Sequence, residues 1–319
     1  MEIAREPGGS AGGSRGRRWA IALALGAASA LYSGFSFHTA TKTPDFAYFW
    51  TAARVLLSGG DPYAGRPGVE GWTLADPFFY PLPAAFPILP FCWLPMPIAG
   101  ALVMGISGGL LAWVLTREGA HRLWMFASAP YVMALKVGQC SPILVAAAFL
   151  PALGWLLPWK PQLGLPLFLY RPSARAAILA AAALAASFAW HPGWVGSWLR
   201  NVRELESHPA PLLALAGPLL VLAALRWRTP EGRLLLALAL TPQLLFFADQ
   251  LPLQLVARTR RQSAMLAAAS LVAFGGWYAL LEPGDRYVLD AAPWVMSLLY
   301  LPALAVVLWP RARAAAPAA

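Results

Sequence analysis

The sequence predicts an all-α polytopic integral membrane protein, and three observations carry that reading. Of its 319 residues 59% are hydrophobic and 12% charged, where a soluble domain holds roughly 25% charged residues. Mean hydropathy is +0.58, and the charges fall as short arginine clusters between long apolar runs rather than on one face. A soluble globular fold is excluded, and one membrane domain over residues 19–310 is expected, with no separate soluble catalytic domain.

The elements follow in chain order. Residues 1–18 form a basic Gly/Ser/Arg tail, and the uncharged run Trp19 to Phe37 is long enough to cross a hydrocarbon core of about 30 Å. A cleaved signal peptide is the rival reading, on the basic start and the Ala28-Ser29-Ala30 triplet. The run continues past that triplet into a membrane-like chain, so an uncleaved first helix fits better. Residues 38–80 are the longest polar segment and, with the N-terminus in the cytoplasm, form an extracytoplasmic loop. Apolar stretches then cover roughly 84–116, 123–135, 141–170 with interruptions, 176–190, 211–225, 234–257 with an interruption, 264–281 and 293–309. They amount to about ten transmembrane helices, within limits of about eight and twelve, some short or broken. Residues 311–319 return to the cytoplasm as a second basic tail.

The net charge of +10, from 24 Lys+Arg against 14 Asp+Glu, reports topology. Arg15/Arg17/Arg18, Arg117/Arg122, Arg171/Arg175, Arg226/Arg228/Arg233, Arg258/Arg260/Arg261 and Arg311/Arg313 punctuate the apolar runs as cytoplasmic helix ends do. This pattern does not suit nucleic acid. The chain's 30 prolines, many inside apolar runs, point to broken or re-entrant helices, which are tolerated at membrane depth only where protein buries them or they line a cavity. Cys92 and Cys140 have no ligand-spaced partners, and neither a disulfide framework nor a metal site is suggested.

Chemistry concentrates after the first span. From Pro44 to Leu57, Phe46, Phe49/Trp50, Ala53 and Leu56/Leu57 share a helical face that Asp45, Tyr48 and Arg54 leave, which predicts an amphipathic helix on the outer surface. Asp45 has two readings. It can complement the helix dipole behind Pro44, or stand at the rim of a cavity and take a proton from a hydroxyl. Further on come Gly60-Asp61-Pro62-Tyr63, Tyr80-Pro81-Leu82-Pro83, Gly138-Gln139, Lys160-Pro161 and an acid at Asp249.

In that order, over about residues 45–255, these motifs resemble glycosyltransferase family 87 of the GT-C membrane enzymes, which includes polyprenol-phosphate-mannose-dependent α-mannosyltransferases and related arabinofuranosyltransferases. The resemblance implies a GT-C-like bundle and inverting transfer of mannose, another hexose or arabinofuranose from a polyprenyl-phosphate donor to a glycolipid or polysaccharide acceptor. The reaction would lie on the extracytoplasmic side of the inner (plasma) membrane, with Asp45 as catalytic base. Tyr63 and Tyr80, in the two aromatic-proline motifs, join the expected substrate-binding set. The segment Pro142 to Lys160 is shorter than the pair of full membrane helices the family implies, so short embedded helices are expected there.

The physical logic stands beside the resemblance. A glycosyl phosphate is already activated, so an enzyme must deprotonate the acceptor and stabilise the departing phosphate. For the phosphate the chain offers Lys160, Lys136, Arg54 and His191. Lys160, an ionisable group in an apolar stretch, is functional by default in a membrane protein, or else snorkels to an interface. Around His191 an aromatic belt accounts for the neighbouring tryptophans. Gln139 could bond a sugar hydroxyl or pack between short helices, and Asp249 could bind acceptor, pair with Arg54 or sit in an outer turn. Without an Asp-x-Asp cluster in the loop, the protein's own cations rather than a divalent metal are expected to stabilise the phosphate, and no cofactor is called for. The rival function is a transporter or flippase for an anionic lipid-linked or small substrate, using Lys136, Lys160 and Asp249. A third is a non-catalytic partner in a cell-envelope complex.

Overall fold

The computed structural model describes residues 11–66, 74, 76–204, 208–280 and 288–309, and these are helical or in turns, with no strand. The expected tail 311–319 and part of the 1–18 tail lie outside the described residues. The α-helices are α1 (Ala11–His38), α2 (Phe46–Leu57), α3 (Met96–Glu118), α4 (Ala129–Val137), α5 (Ser141–Phe149), α6 (Pro161–Tyr170), α7 (Ala174–Trp190), α8 (Trp194–Glu204), α9 (Pro230–Leu240) and α10 (Arg260–Leu280). The last, α11 (Ala292–Leu308), contains a π turn at Met296–Tyr300.

Among the described residues three helices are long and apolar enough to cross a membrane: Arg15–His38 of α1, α3 and α10. Two bent pairs raise the number to five, α4 with α5 at 118° and α7 with α8 at 96°. The other apolar stretches expected to contribute crossings are short α-helices or tight 3-10 runs such as Leu82–Ile88, Pro151–Trp159 and Leu251–Val256. Proline is the local reason. Pro83, Pro87, Pro151, Pro158 and Pro252 each lack an N–H and obstruct continuation of an α-helix. The compressed segment before Lys160 is accordingly α5 followed by a 3-10 run, both short.

α1 and α3 pack antiparallel. Contacts pair Trp19 with Trp113 and Gly34 with Ala101, and at the crossing a Cβ on Gly26 would sit 3.0 Å from the carbonyl oxygen of Gly105. Small residues there let two backbones approach, as in membrane helix pairs generally. α4 runs parallel to α1 in a fixed register: Ser29 Oγ and Tyr131 Oη share a 2.6 Å hydrogen bond, and Ser33 Oγ donates to the Leu135 carbonyl at 3.0 Å. The three helices thus define two ends.

One end collects arginines. Arg18 and Arg117 lie over the Trp113 ring at 5.3 and 5.1 Å, Arg171 bonds Glu118 at 2.8 Å, and Arg122 donates to the Leu255 carbonyl and Tyr170 Oη. Arg233 donates to the Leu169 and Arg228 carbonyls, and Arg258 pairs with Glu231. Clusters far apart in sequence share one end of the molecule, as the sequence pattern required. The opposite end carries the candidate site.

The helix expected on the outer surface corrects that expectation. α2 forms where predicted but lies inside the protein: Phe46, Ala47, Tyr48, Phe49, Trp50, Thr51, Ala52, Ala53 and Leu56 are all buried. The sequence shows one apolar face. The 3-10 run at Leu82–Ile88, Pro151–Trp159 and the bend between α4 and α5 cover the others, and Tyr48 is buried under the ring of Phe79 at 5.3 Å.

Candidate functional site

Asp45 immediately precedes α2, behind Pro44, yet its side chain makes no cap to the helix. The carboxylate turns across the fold and accepts a 2.5 Å hydrogen bond from Gln139 Nε2. The residue keeps partial exposure, so it sits at the edge of the protein interior. Burial of the carboxylate raises its pKa above the usual range; the hydrogen bond from Gln139 and the charge of Lys160 oppose the shift, and the charge of Asp249 adds to it.

Gln139 is placed by the break between α4 and α5. Gly138 closes α4 in the left-handed region, at φ 76°, where a side chain would be strained. Space forbids one as well, since a Cβ there would lie 2.5 Å from the Cβ of Phe46 and 3.0 Å from the Phe37 ring. The Gly-Gln pair is thus one device: glycine lets the ends of α1 and α4 close on the start of α2, and the next residue is aimed at Asp45.

Behind Gln139 lies an ion pair. Lys160 Nζ donates to Gln139 Oε1 at 3.1 Å and to Asp249 Oδ1 at 2.6 Å, and both charged residues are almost wholly enclosed. An ammonium only donates, so the amide oxygen of Gln139 must face Lys160 and its NH₂ must face Asp45. That NH₂ also donates to Tyr80 Oη at 3.1 Å. Lys160 does not snorkel, and it is the partner of Asp249, for which the sequence offers pairing with Arg54 as one possibility. Two of the three Lys160 N–H donors are thus directed at Gln139 and Asp249.

Aromatic packing fixes the rest. Tyr80 lies between Phe49 and Phe79, with ring centroids at 4.4 and 4.5 Å, and Trp159 meets Phe49 edge-on at 5.3 Å. The Lys160 ammonium stands 5.7 Å from the Tyr80 ring centre. Ser141 Oγ, at the start of α5, donates to the Ala248 carbonyl at 2.7 Å and thereby holds the turn that carries Asp249.

Of the residues singled out in the sequence, Asp45, Tyr80, Gln139, Lys160 and Asp249 form one network. Tyr63 supports it from outside, its hydroxyl donating to the Tyr80 carbonyl at 2.9 Å. Arg54 stacks over Trp50 at 4.7 Å on α2, and His191 faces Asp61 at 3.4 Å. Lys136 is exposed in the last turn of α4.

Sequence reasoning missed Asn201. Its buried amide donates to the Tyr63 and Phe78 carbonyls at 3.3 and 3.0 Å, while Trp198 Nε1 donates to the Phe79 carbonyl at 2.9 Å. Together they hold the loop that presents Tyr63 and Tyr80 against α8. A signal was present, because Trp194, Trp198 and Asn201 recur at helical spacing and share a face.

The chain is thus an all-helical protein with apolar helices fit to cross a membrane and, at one end, an acid beside a buried ion pair. It matches no family model, no curated protein and no solved structure.

Proposed function

We propose that the protein is an inverting membrane glycosyltransferase of GT-C type, similar to family 87, that transfers a sugar from a polyprenyl-phosphate donor to a glycolipid or polysaccharide acceptor. The reading sets it in the inner membrane with both termini in the cytoplasm, its short helices completing a GT-C-like bundle and Asp45 on the extracytoplasmic side. One observation carries it. Five residues drawn from motifs spread between positions 45 and 249 meet in one hydrogen-bonded network whose most accessible acid is Asp45.

In the reaction Asp45 takes the proton of an acceptor hydroxyl, and that oxygen attacks the anomeric carbon. The carbon–phosphate-oxygen bond breaks on the opposite side and the phosphate leaves with the electron pair, inverting the centre. An acid of raised pKa suits a base that works near neutral pH. Gln139 holds the carboxylate in position, and Lys160 compensates Asp249 while fixing the Gln139 amide.

The test is transfer in lipid nanodiscs. Native protein incubated with a panel of polyprenyl-phosphate sugars and acceptors should give a product one sugar heavier by mass spectrometry. Asp45→Asn should give none while staying folded, because the asparagine carbonyl still accepts from Gln139. Native turnover by that variant would remove Asp45 from the mechanism.

The buried Lys160–Asp249 pair supports a second reading, a transporter or flippase for an anionic substrate, since intramembrane charges often mark transport pathways. It requires substrate to cross reconstituted vesicles chemically unchanged.

A further inference from the structure

α7 turns an apolar surface outward. Its 17 residues rise about 25 Å at 1.5 Å per residue, and after Arg175 it carries no charge, with Ile178, Leu184 and Phe188 exposed. α8 leaves it at 96°. Where α7 crosses a bilayer, α8 therefore runs along the bilayer surface. Its level is that of the candidate site, because Trp198 and Asn201 bond the Phe79 and Phe78 carbonyls of the loop ending in Tyr80. The exposed Trp190 just before the elbow stands where tryptophan is favoured, at the membrane–water boundary.

Three stripes of spacing i, i+4, i+7 divide α8. Trp194, Trp198 and Asn201 face the protein. Val195, Leu199 and Val202 form an apolar flank beside them, of which Leu199 and Val202 are exposed, and Gly196, Arg200 and Arg203 look outward. The helix holds two cations to one acid, Glu204, and these arginines belong to none of the clusters at the opposite end of the molecule. A depression of about 510 Å³ opens over Gly196, Leu199, Arg200, Arg203 and Glu204; a Cβ on Gly196 would meet nothing within 4 Å. Arg200 uses one of its five N–H groups on Ser197 Oγ, at 3.0 Å.

Two exposed aliphatic side chains are too few for a stable protein interface, which buries about 800 Å² per partner. On a helix level with the lipid, an apolar flank next to a basic stripe suits the boundary between acyl chains and anionic headgroups. We infer that α8 is a lipid-docking helix: Leu199 and Val202 dip among the acyl chains, and Arg200 and Arg203 hold the headgroups of anionic phospholipids. The docked helix ties the aromatic loop of the site to the membrane surface through Trp198 and Asn201. This stands on the fold and the charge pattern, whatever the reaction.

The experiment uses the full chain with Leu199→Cys carrying a fluorophore, the two native cysteines being buried. Nanodiscs of phosphatidylcholine receive equal fractions of tail-brominated phosphatidylglycerol or tail-brominated phosphatidylcholine. Both brominated lipids should quench the label, phosphatidylglycerol more strongly, while iodide in the water should not. Arg200→Gln with Arg203→Gln should lower the preference for phosphatidylglycerol about fivefold per arginine, and the corresponding pair of lysines should restore it. Raising salt on the chain with both arginines should weaken the same preference, a reading that does not depend on how the glutamine pair folds. Quenching by iodide and by neither lipid overturns the inference. So does equal quenching by the two lipids, a preference unchanged by salt or by the glutamine pair, or a preference abolished by a water-soluble acidic polysaccharide, which would assign the arginines to that class of partner instead.

Discussion

At the scale of single residues, the site is an acid whose ionisation is resisted by burial and a cation already compensated. The raised pKa of Asp45 sets the sign of two expectations. As a base it acts only when ionised, so transfer should rise with pH through an apparent pKa above the ordinary carboxylate value of about 4, and the acid limb should vanish with Asp45→Asn together with activity. A limb at the ordinary value would remove the influence of burial. For stability, a raised carboxyl pKa favours the folded state below the unfolded value, and that benefit is lost as pH rises through the folded pKa. Asp45→Asn should therefore unfold no more easily than native protein at neutral pH, read by thermal melting in detergent.

Lys160 follows a different rule. Its removal leaves Asp249 enclosed without a counter-charge, so Lys160→Met should destabilise by about 3–5 kcal/mol, the usual penalty for breaking a buried pair from one side. Lys160→Met combined with Asp249→Leu removes both charges and should recover most of the loss. A double variant no more stable than the single one would mean that the pair is not the source of the cost. The sequence showed Lys160 as an ionisable group in an apolar run but could not name its partner, because the pairing spans 89 positions.

At the scale of elements, the break between α4 and α5 matters most. Both strain at φ 76° and the approach of Phe46 forbid a side chain at Gly138. Gly138→Ala should cost at least about 1–2 kcal/mol from the left-handed backbone alone, with the overlap added, and should lower transfer by displacing Gln139. Near-native melting and activity in that variant would show that the bend tolerates a Cβ. The Gly-Gln pair was legible as a motif, whereas its purpose was not, since the reason for glycine is a neighbour 92 positions earlier. α2 teaches the same lesson from the other side: its helix was readable from spacing and its burial was not. A helix pattern records which face is apolar; only packing decides whether polar-facing residues such as Tyr48 also find cover, here beneath Phe79.

At the scale of the whole molecule, the arginine clusters among the described residues gather at one end and the candidate site lies at the other. If the end with Arg18, Arg117 and Arg233 faces the cytoplasm, Thr39→Cys should react with an impermeant thiol reagent from outside, and Arg228→Cys only after the membrane is opened. Both native cysteines are buried and give a low background. Reaction of both introduced cysteines from the same side would remove the two-sided arrangement. Short helices between the ends, α4 and α6 among them, are also consistent with a protein whose interior is built from broken segments around a site rather than from uniform spans.

The sequence by itself determined the membrane-like character, the helical class, the sharing of one end by the described arginine clusters, and Asp45 with four of the residues that meet around it. These are properties of composition, spacing and order along the chain. Tertiary structure alone decided that Lys160 binds Asp249, that Arg54 stacks on Trp50 and His191 faces Asp61, that Asn201 bonds the Tyr63 and Phe78 carbonyls, and that α2 lies inside. Each of those depends on which distant segment arrives beside a side chain, and local periodicity carries no record of that arrival.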